Sequence, residues 1–530
     1  MGLSSSREGG AEVEMPSPIN GLPDDVLLRV FSHGPLAAVL SECTAQSLEI
    51  RLKRSFAFDL ALVPPRLLQR LTRLQILSPT MPRSPVAQDS LRFDSLAHLF
   101  VDWVLRDFGS ASILQALARG APLLESVRVC YLLLRDVPRA TTFVGSNSGV
   151  RELLDNEDST AFRLGYRDYL SHVYGDVLLF KDGKDVRKMR SAMEAAFSTE
   201  NVELLLESSK IFIDDYFNNR LSCSEPVCLY STMKRLVSEL LISLFLDLDP
   251  KIDSDLIDRI IALSVNHWHG IISVPMSVKV PMVNMASGYR KAVESKNQLS
   301  EIVRDRAERY FREKSSESGK FSFLDAFLNE KLCDFGDFNS KLDHLVLLNT
   351  ALVPKASASL LTSAALTSGH WIEPFHAEKD ARSREDLLRC VLAECGRLWP
   401  PFIGGRRVAE KDTSLQGYAL PKNRPVVFLT TAAHRDERAF ENPTGFDWKR
   451  WTEEGKASED DLFTFGAGDR KCLGKDFMQK LLNVILSKFA QKFDFERVLD
   501  GVSNSDTEYK WLPASRPKVK PKFNLKLRES

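Results

Sequence analysis

Apolar residues recur at intervals of three and four over much of the chain, and each such stretch predicts a helix with one buried face. Residues 186–198, 228–248, 253–268, 287–314, 385–397 and 473–495 carry this pattern. Residues 342–368 are apolar almost all round, which predicts a long helix crossing a core, and Pro354 within it removes a backbone hydrogen bond and predicts a kink. Runs rich in β-branched and aromatic residues predict strands at 140–145 and 425–429, and strands are also expected at 404–408 and 415–421. The tail from 516 to 526 is basic with prolines and predicts a surface strand and a frayed end.

The first 135 residues read differently. Residues 1–20 are rich in Ser, Gly and Glu and predict a disordered tail. Residues 22–31, 35–40 and 47–50 carry helical spacing in short pieces, whereas 71–77, 96–101 and the end of 113–129 predict strands roughly 20 to 30 residues apart. The expected domains are therefore 1–20, 21–135 and 136–530.

At 530 residues and 44% hydrophobic content the chain can bury large cores. Lys plus Arg equals Asp plus Glu at 71 each, so no global charge favours nucleic acid. The 8 cysteines show no disulfide-framework or zinc-ligand spacing, which fits a reducing compartment. No unbroken apolar run reaches the roughly 18 residues of a membrane span. The expectation is a cytoplasmic protein, with peripheral membrane attachment if Gly2 is acylated, since Met1-Gly2-Leu3-Ser4-Ser5-Ser6 fits the acylation pattern.

One stretch carries chemistry. In Phe463-Thr464-Phe465-Gly466-Ala467-Gly468-Asp469-Arg470-Lys471-Cys472-Leu473-Gly474 a cysteine sits in a glycine loop with a cation two residues before it and a helix opening after it. Backbone donors, positive charge and a helix N-terminus all favour a thiolate. The pattern F-x-x-G-x-R-x-C-x-G resembles the cytochrome P450 family, in which this cysteine is the axial ligand of heme b. The resemblance makes Cys472 the iron ligand, with Phe465, Gly468, Arg470 and Gly474 as its loop, and implies that Arg470 helps to neutralise the heme propionates.

Three further segments are similar to that family in the right order. Glu394-Cys395-Gly396-Arg397 matches its E-x-x-R, with Arg450 of Phe446-Asp447-Trp448-Lys449-Arg450-Trp451 as third member of a structural triad. Arg190 falls on the arginine of its W-x-x-x-R helix, with Val186 replacing the tryptophan, and Arg407, or Arg406 one register earlier, falls on a second arginine that holds a heme propionate. The resemblance implies a mainly α fold with small β-sheets, a small apolar, lipid-like substrate such as a sterol, terpenoid or fatty acid, and a pocket lined in part by Met276, Met282 and Met285. Arg470, Lys471 and Lys475 would form a basic face for a reductase or ferredoxin.

Two departures stand out. On the central helix, Leu352-Val353-Pro354-Lys355-Ala356-Ser357 places Lys355 at the family's acid and Ala356 at its threonine, the catalytic positions that deliver protons. A shift of one would bring in Ser357 and Ser359 instead. This leaves either a monooxygenase with another proton path or a peroxide-using isomerase or peroxygenase. The usual N-terminal helix and strand are replaced by Leu22-Pro23-Asp24-Asp25-Val26-Leu27, which resembles an F-box and implies a ubiquitin-ligase adaptor as partner, followed by a segment similar to leucine-rich repeats. A non-catalytic adaptor with a degenerate heme domain is the alternative reading.

Overall fold

The computed structural model describes five short strands within residues 28–131, then 139–155 and most of 161–528, apart from 270–287, 314–320, 499–508 and a few shorter gaps. The acylation pattern at Gly2, the 1–20 tail and the three methionines Met276, Met282 and Met285 lie outside the described residues. The chain divides into two compact units, one of residues 1–153 with 406–441 and one of 154–405 with 442–530, so the boundary expected at 135 falls inside the first unit.

The first unit is built on a sheet. Strands β1 (Leu28–Val30), β2 (Ser47–Arg51), β3 (Arg73–Leu77), β4 (His98–Asp102) and β5 (Ser126–Tyr131) pair in sequence order, each parallel to the next. β6 (Arg139–Val144) pairs antiparallel with β5 and parallel with the strand Pro425–Leu429, in the register Val426 to Thr142. The helices expected within 22–31 and 47–50 are therefore corrected at Leu28–Val30 and Ser47–Arg51. Alternation of Val26, Leu28 and Val30, and of Leu48 and Ile50, fits a strand as well as a helix, and the ladder that satisfies their backbone groups is non-local. The helix Asn147–Leu154 follows β6, and Asp436 Oδ2 accepts from its Asn147 N–H at 2.9 Å. The expected strand over 415–421 is a tight hairpin, Thr413–Leu415 with Tyr418–Leu420, turned at Gln416 and Gly417, both at positive φ.

The second unit is mainly helical. Helices Thr199–Asn219, Leu229–Leu246, Ser254–His269, Gly288–Glu313, Leu352–Leu366, Ala381–Leu398 and Lys475–Lys492 surround one large apolar core containing Leu240, Leu345, Leu361, Leu388 and Phe489. The predicted long central helix is two. Phe338–Leu348 ends at Asn349, Leu352–Leu366 begins three residues later, and Pro354 occupies its first turn, where a missing N–H costs little. The break thus precedes the proline instead of kinking around it. Phe338–Leu366 as a whole is long and apolar enough to cross a membrane, but 67% of its apolar 18-residue stretch is buried inside the protein, as a core helix pair would be. The C-terminal tail is not frayed: Lys522–Leu527 pairs antiparallel with Phe493–Arg497 and with Val227–Cys228, burying Phe523 and Leu525.

Candidate active site

The cysteine loop is set by two backbone requirements. Gly466 and Gly468 have φ of +70° and +61°, a region costly for residues with a Cβ. At Gly468 a Cβ would also stand 2.1 Å from the Leu154 carbonyl oxygen. With the chain so turned, Cys472 N–H donates to the Phe465 carbonyl at 2.7 Å, and Gly474 caps the helix Lys475–Lys492.

Cys472 is exposed in this loop, with protein atoms packed closely around its thiol. Burial pushes its thiol pKa up, while the Gly474 N–H, Arg190 and Lys475 pull it down. The donors and charges have the sign expected for a thiolate, yet desolvation outweighs them in the free thiol. The cation acting here is also not the one two residues upstream. Arg470 instead donates to the carbonyls of Leu178 and Leu179 at 3.4 Å and of Lys181, tying the loop to that segment. Arg190 comes from the helix Gly183–Glu194, where Val186 buries its side chain one turn earlier. Its Nη1 donates to the Lys471 carbonyl at 2.7 Å and its Nε to Glu194 Oε1 at 3.0 Å. Arg407 belongs to the first unit, on the strand Gly404–Ala409, with its guanidinium 5.5 Å from the Phe428 ring centroid.

Glu394 and Arg397 are fully buried on one face of Ala381–Leu398, three residues apart. Glu394 Oε2 accepts from Arg397 Nε and Trp451 Nε1, each at 2.9 Å. Its Oε1 accepts from Arg397 Nη2 at 2.8 Å, Asp447 N–H at 2.9 Å and Arg450 Nε at 3.1 Å. Arg397 adds donations to the Pro443 carbonyl and, at 2.9 Å, to that of Gly445. Sequence reasoning missed Trp451 and Thr464. The first adjoins Arg450 in the sequence, and the second donates its hydroxyl to the Gly396 carbonyl at 3.0 Å, linking this helix to the cysteine loop.

On Leu352–Leu366, Lys355 and Ser357 are buried and Ala356 is more open. Lys355 meets no carboxylate among the described residues. Its Nζ lies 5.8 Å from the Trp268 ring centroid, and burial, with Lys234 and Arg516 adding like charge, lowers its pKa to about 8. Ser359 lies 3.4 Å, Oγ to Oγ, from Ser515, and Ser363 lies 2.8 Å from the Tyr509 hydroxyl. The Ser359 hydroxyl is thus already engaged on the buried side.

Residues 375–523 match the family model for cytochrome P450. The fold is that of a solved P450, the retinoic acid-bound cyanobacterial CYP120A1, with a TM-score of 0.64 and 20% identity over 80% of this chain and 95% of that one. The carboxyl-terminal region is a cytochrome P450 domain. Among curated proteins the chain is 24% identical over 373 residues to the taxane 10-beta-hydroxylase of Taxus cuspidata, covering 65% of this chain and 72% of that protein. It is 24% identical over 316 residues to the cholesterol 16,22-dihydroxylase of Paris polyphylla, covering 55% and 63%. Against others the match spans under a third of their length. The cofactor of P450 enzymes is heme on a cysteine thiolate. The P450 domain fits it: the exposed Cys472 has a backbone donor and two cations that favour its thiolate.

Proposed function

We propose that this chain is a heme-thiolate oxidoreductase of the P450 type acting on an apolar, lipid-like substrate. The observation that carries the reading is Cys472 exposed in a loop that Gly466 and Gly468 turn at positive φ, with Gly474 N–H, Arg190 and Lys475 arranged to favour its anion. Cys472 Sγ would take the iron, whose charge deprotonates a coordinating thiol outright and so overcomes the burial penalty. Arg190 would neutralise a propionate, and Arg470 would keep the loop closed through its carbonyl contacts. When bound, heme supplies oxidising chemistry at the face away from the sulfur. Glu394, Arg397 and Arg450 brace the loop from behind through Thr464. The taxane and cholesterol hydroxylases among the relatives support a terpenoid or sterol-like substrate.

A second reading concerns the oxidant. Ala356 offers no hydroxyl at the family's threonine position, and Lys355 stands at that of the acid and is turned to Trp268, so neither position carries the usual relay group; with Ser359 engaged by Ser515, Ser357 is the hydroxyl this turn has left. This favours a peroxide as oxidant, because rearranging or spending a bound peroxide needs no delivered protons.

The N-terminal strands start at 28, 47, 73, 98 and 126, intervals of 19, 26, 25 and 28 residues, and pair in parallel order. Those periods support a leucine-rich-repeat-like array. A helix-based adaptor contact loses its elements where Leu28–Val30 and Ser47–Arg51 are strands.

A carbon monoxide difference spectrum of the reduced protein tests the main reading. The long-wavelength thiolate band is expected and should vanish in Cys472→Ala; a protein that binds no heme refutes it. Turnover with a peroxide but not with dioxygen and a reductase is expected, and efficient reductase-driven hydroxylation would overturn the peroxide reading.

A further inference from the structure

The turn that Arg470 grips is held from its other side as well. Leu178–Phe180 forms a single tight helical turn, and the first N–H of so short a turn has no acceptor within it. Leu178 N–H donates instead to His344 Nε2 at 2.7 Å. His344 stands on the helix Phe338–Leu348 and is 1% exposed. Because Nε2 accepts, the ring proton sits on Nδ1, which donates to the Ser340 carbonyl at 2.7 Å, one turn back on the same helix. The ring packs edge-on against Phe335, 5.1 Å between centroids.

The stretch leading to this turn is anchored to the same helical core. His267 Nε2 lies 2.8 Å from the Val173 carbonyl. Gly175 has φ of +79°, and a Cβ there would stand 2.1 Å from Oδ2 of Asp343, which pairs with Lys296 at 2.7 Å. Val173, Tyr174, Val177 and Phe180 are buried with Leu164 and Ala292 in a small apolar cluster of their own. Leu178 is the junction. Its N–H goes to His344, while its carbonyl and those of Leu179 and Lys181 receive Arg470 from the cysteine loop. Two residues after Lys181 begins the helix Gly183–Glu194, which carries Arg190 to the Lys471 carbonyl at 2.7 Å. A shift of this turn therefore moves the acceptors of Arg470 and the start of the helix that bears Arg190.

We infer that His344 is a positioning residue for Cys472: by accepting from Leu178 N–H it fixes the turn whose carbonyls hold Arg470, and through Arg470 the loop that carries the sulfur. This deepens the heme-thiolate reading, on which its meaning for catalysis rests.

Hydrogen–deuterium exchange of the purified full-length protein at pH 7 tests the inference on peptides covering 463–474, where the N–H groups of Gly466, Lys471 and Cys472 are hydrogen-bonded. His344→Phe keeps a ring against Phe335 but offers no acceptor, and should speed exchange there about fivefold or more. His344→Gln, whose amide oxygen can accept from Leu178, should stay within about twofold of the parent protein. Peptides from 385–397, on a different helix, should not change in either variant. Arg470→Gln alone should also loosen 463–474. Adding His344→Phe to it should raise exchange far less than the product of the two single effects, because both act on one chain of contacts. The inference is overturned by an unchanged loop in His344→Phe, by equal loosening of 385–397, by loosening in His344→Gln as great as in His344→Phe, or by a double variant that reaches the product. If His344→Phe does not fold, His344→Asn, too short to reach Leu178, takes its place with the same expectations. Exchange is read whether or not heme is bound, so an absent carbon monoxide band, which sinks the heme reading, and an unchanged loop, which sinks this contact, are separate outcomes.

Discussion

Glu394→Gln isolates the buried charge that holds the P450 core behind the cysteine loop. The change keeps the size of the side chain but turns one carboxylate oxygen into an NH2. In the more favourable orientation the amide nitrogen replaces Oε2 and faces two donors, Arg397 Nε and Trp451 Nε1, each at 2.9 Å. Each buried donor left without an acceptor costs about 1–3 kcal/mol. The same substitution leaves two guanidinium groups, at 0% and 9% exposure, without their counter-charge, and breaking a buried pair in this way costs about 3–5 kcal/mol. The two estimates describe overlapping losses, so the expected destabilisation is about 3–5 kcal/mol and not their sum. A urea titration followed by tryptophan fluorescence should show the midpoint falling with an unchanged slope. Arg450→Met, which leaves Glu394 paired with Arg397, should cost about 1–2 kcal/mol. A loss below about 1 kcal/mol for Glu394→Gln, or a larger loss for Arg450→Met than for Glu394→Gln, would refute the assignment of Glu394 as the hub.

Two further outcomes follow from the geometry. Gly468→Ala forces a Cβ to within 2.1 Å of the Leu154 carbonyl at φ +61° and should cost at least about 2 kcal/mol and most of the bound heme, measured by thermal unfolding and pyridine hemochrome content. Gly474→Ala meets only Phe197 Cε1 at 4.0 Å and should cost under about 1 kcal/mol. Lys355 has a folded pKa of about 8, below its ordinary 10.5, so its charged form is disfavoured by folding. Below pH 8 it therefore weakens the fold, and this penalty fades as pH rises from about 8 to 10.5, because the unfolded chain holds a proton there that the folded one has released. In the absence of ligand, Lys355→Met should raise stability at pH 7 by about 1–2 kcal/mol, less than the full linkage because some solvent reaches the side chain. That gain should shrink steadily in urea titrations between pH 8 and 10.5.

The sequence by itself determined what depends on short-range spacing. Phe465, Gly468, Arg470, Cys472 and Gly474 lie within ten residues, and a loop that needs glycine at positive φ and a cysteine at its tip is written in those positions. Glu394 and Arg397 face the same way because helical residues three apart do. The helices predicted from the periodicity of their apolar faces lie within a few residues of where that pattern puts them, but Thr199–Asn219 is not among them. Only the tertiary structure decided what depends on partners far apart in the chain. Leu28–Val30 is a strand because Ser47–Arg51 pairs with it, although its local pattern also fits a helix. The central helix breaks at Asn349, where Ser264 donates its hydroxyl to the Asn349 carbonyl at 2.7 Å, and not at the proline that signals a break by itself. Arg470 finds backbone carbonyls of a segment about 290 residues earlier, while Arg190 takes the place beside the sulfur that adjacency in sequence suggested for Arg470. Backbone conformation and helical phase are encoded within a few residues, whereas the field at a buried charge is the sum over whatever the fold packs around it.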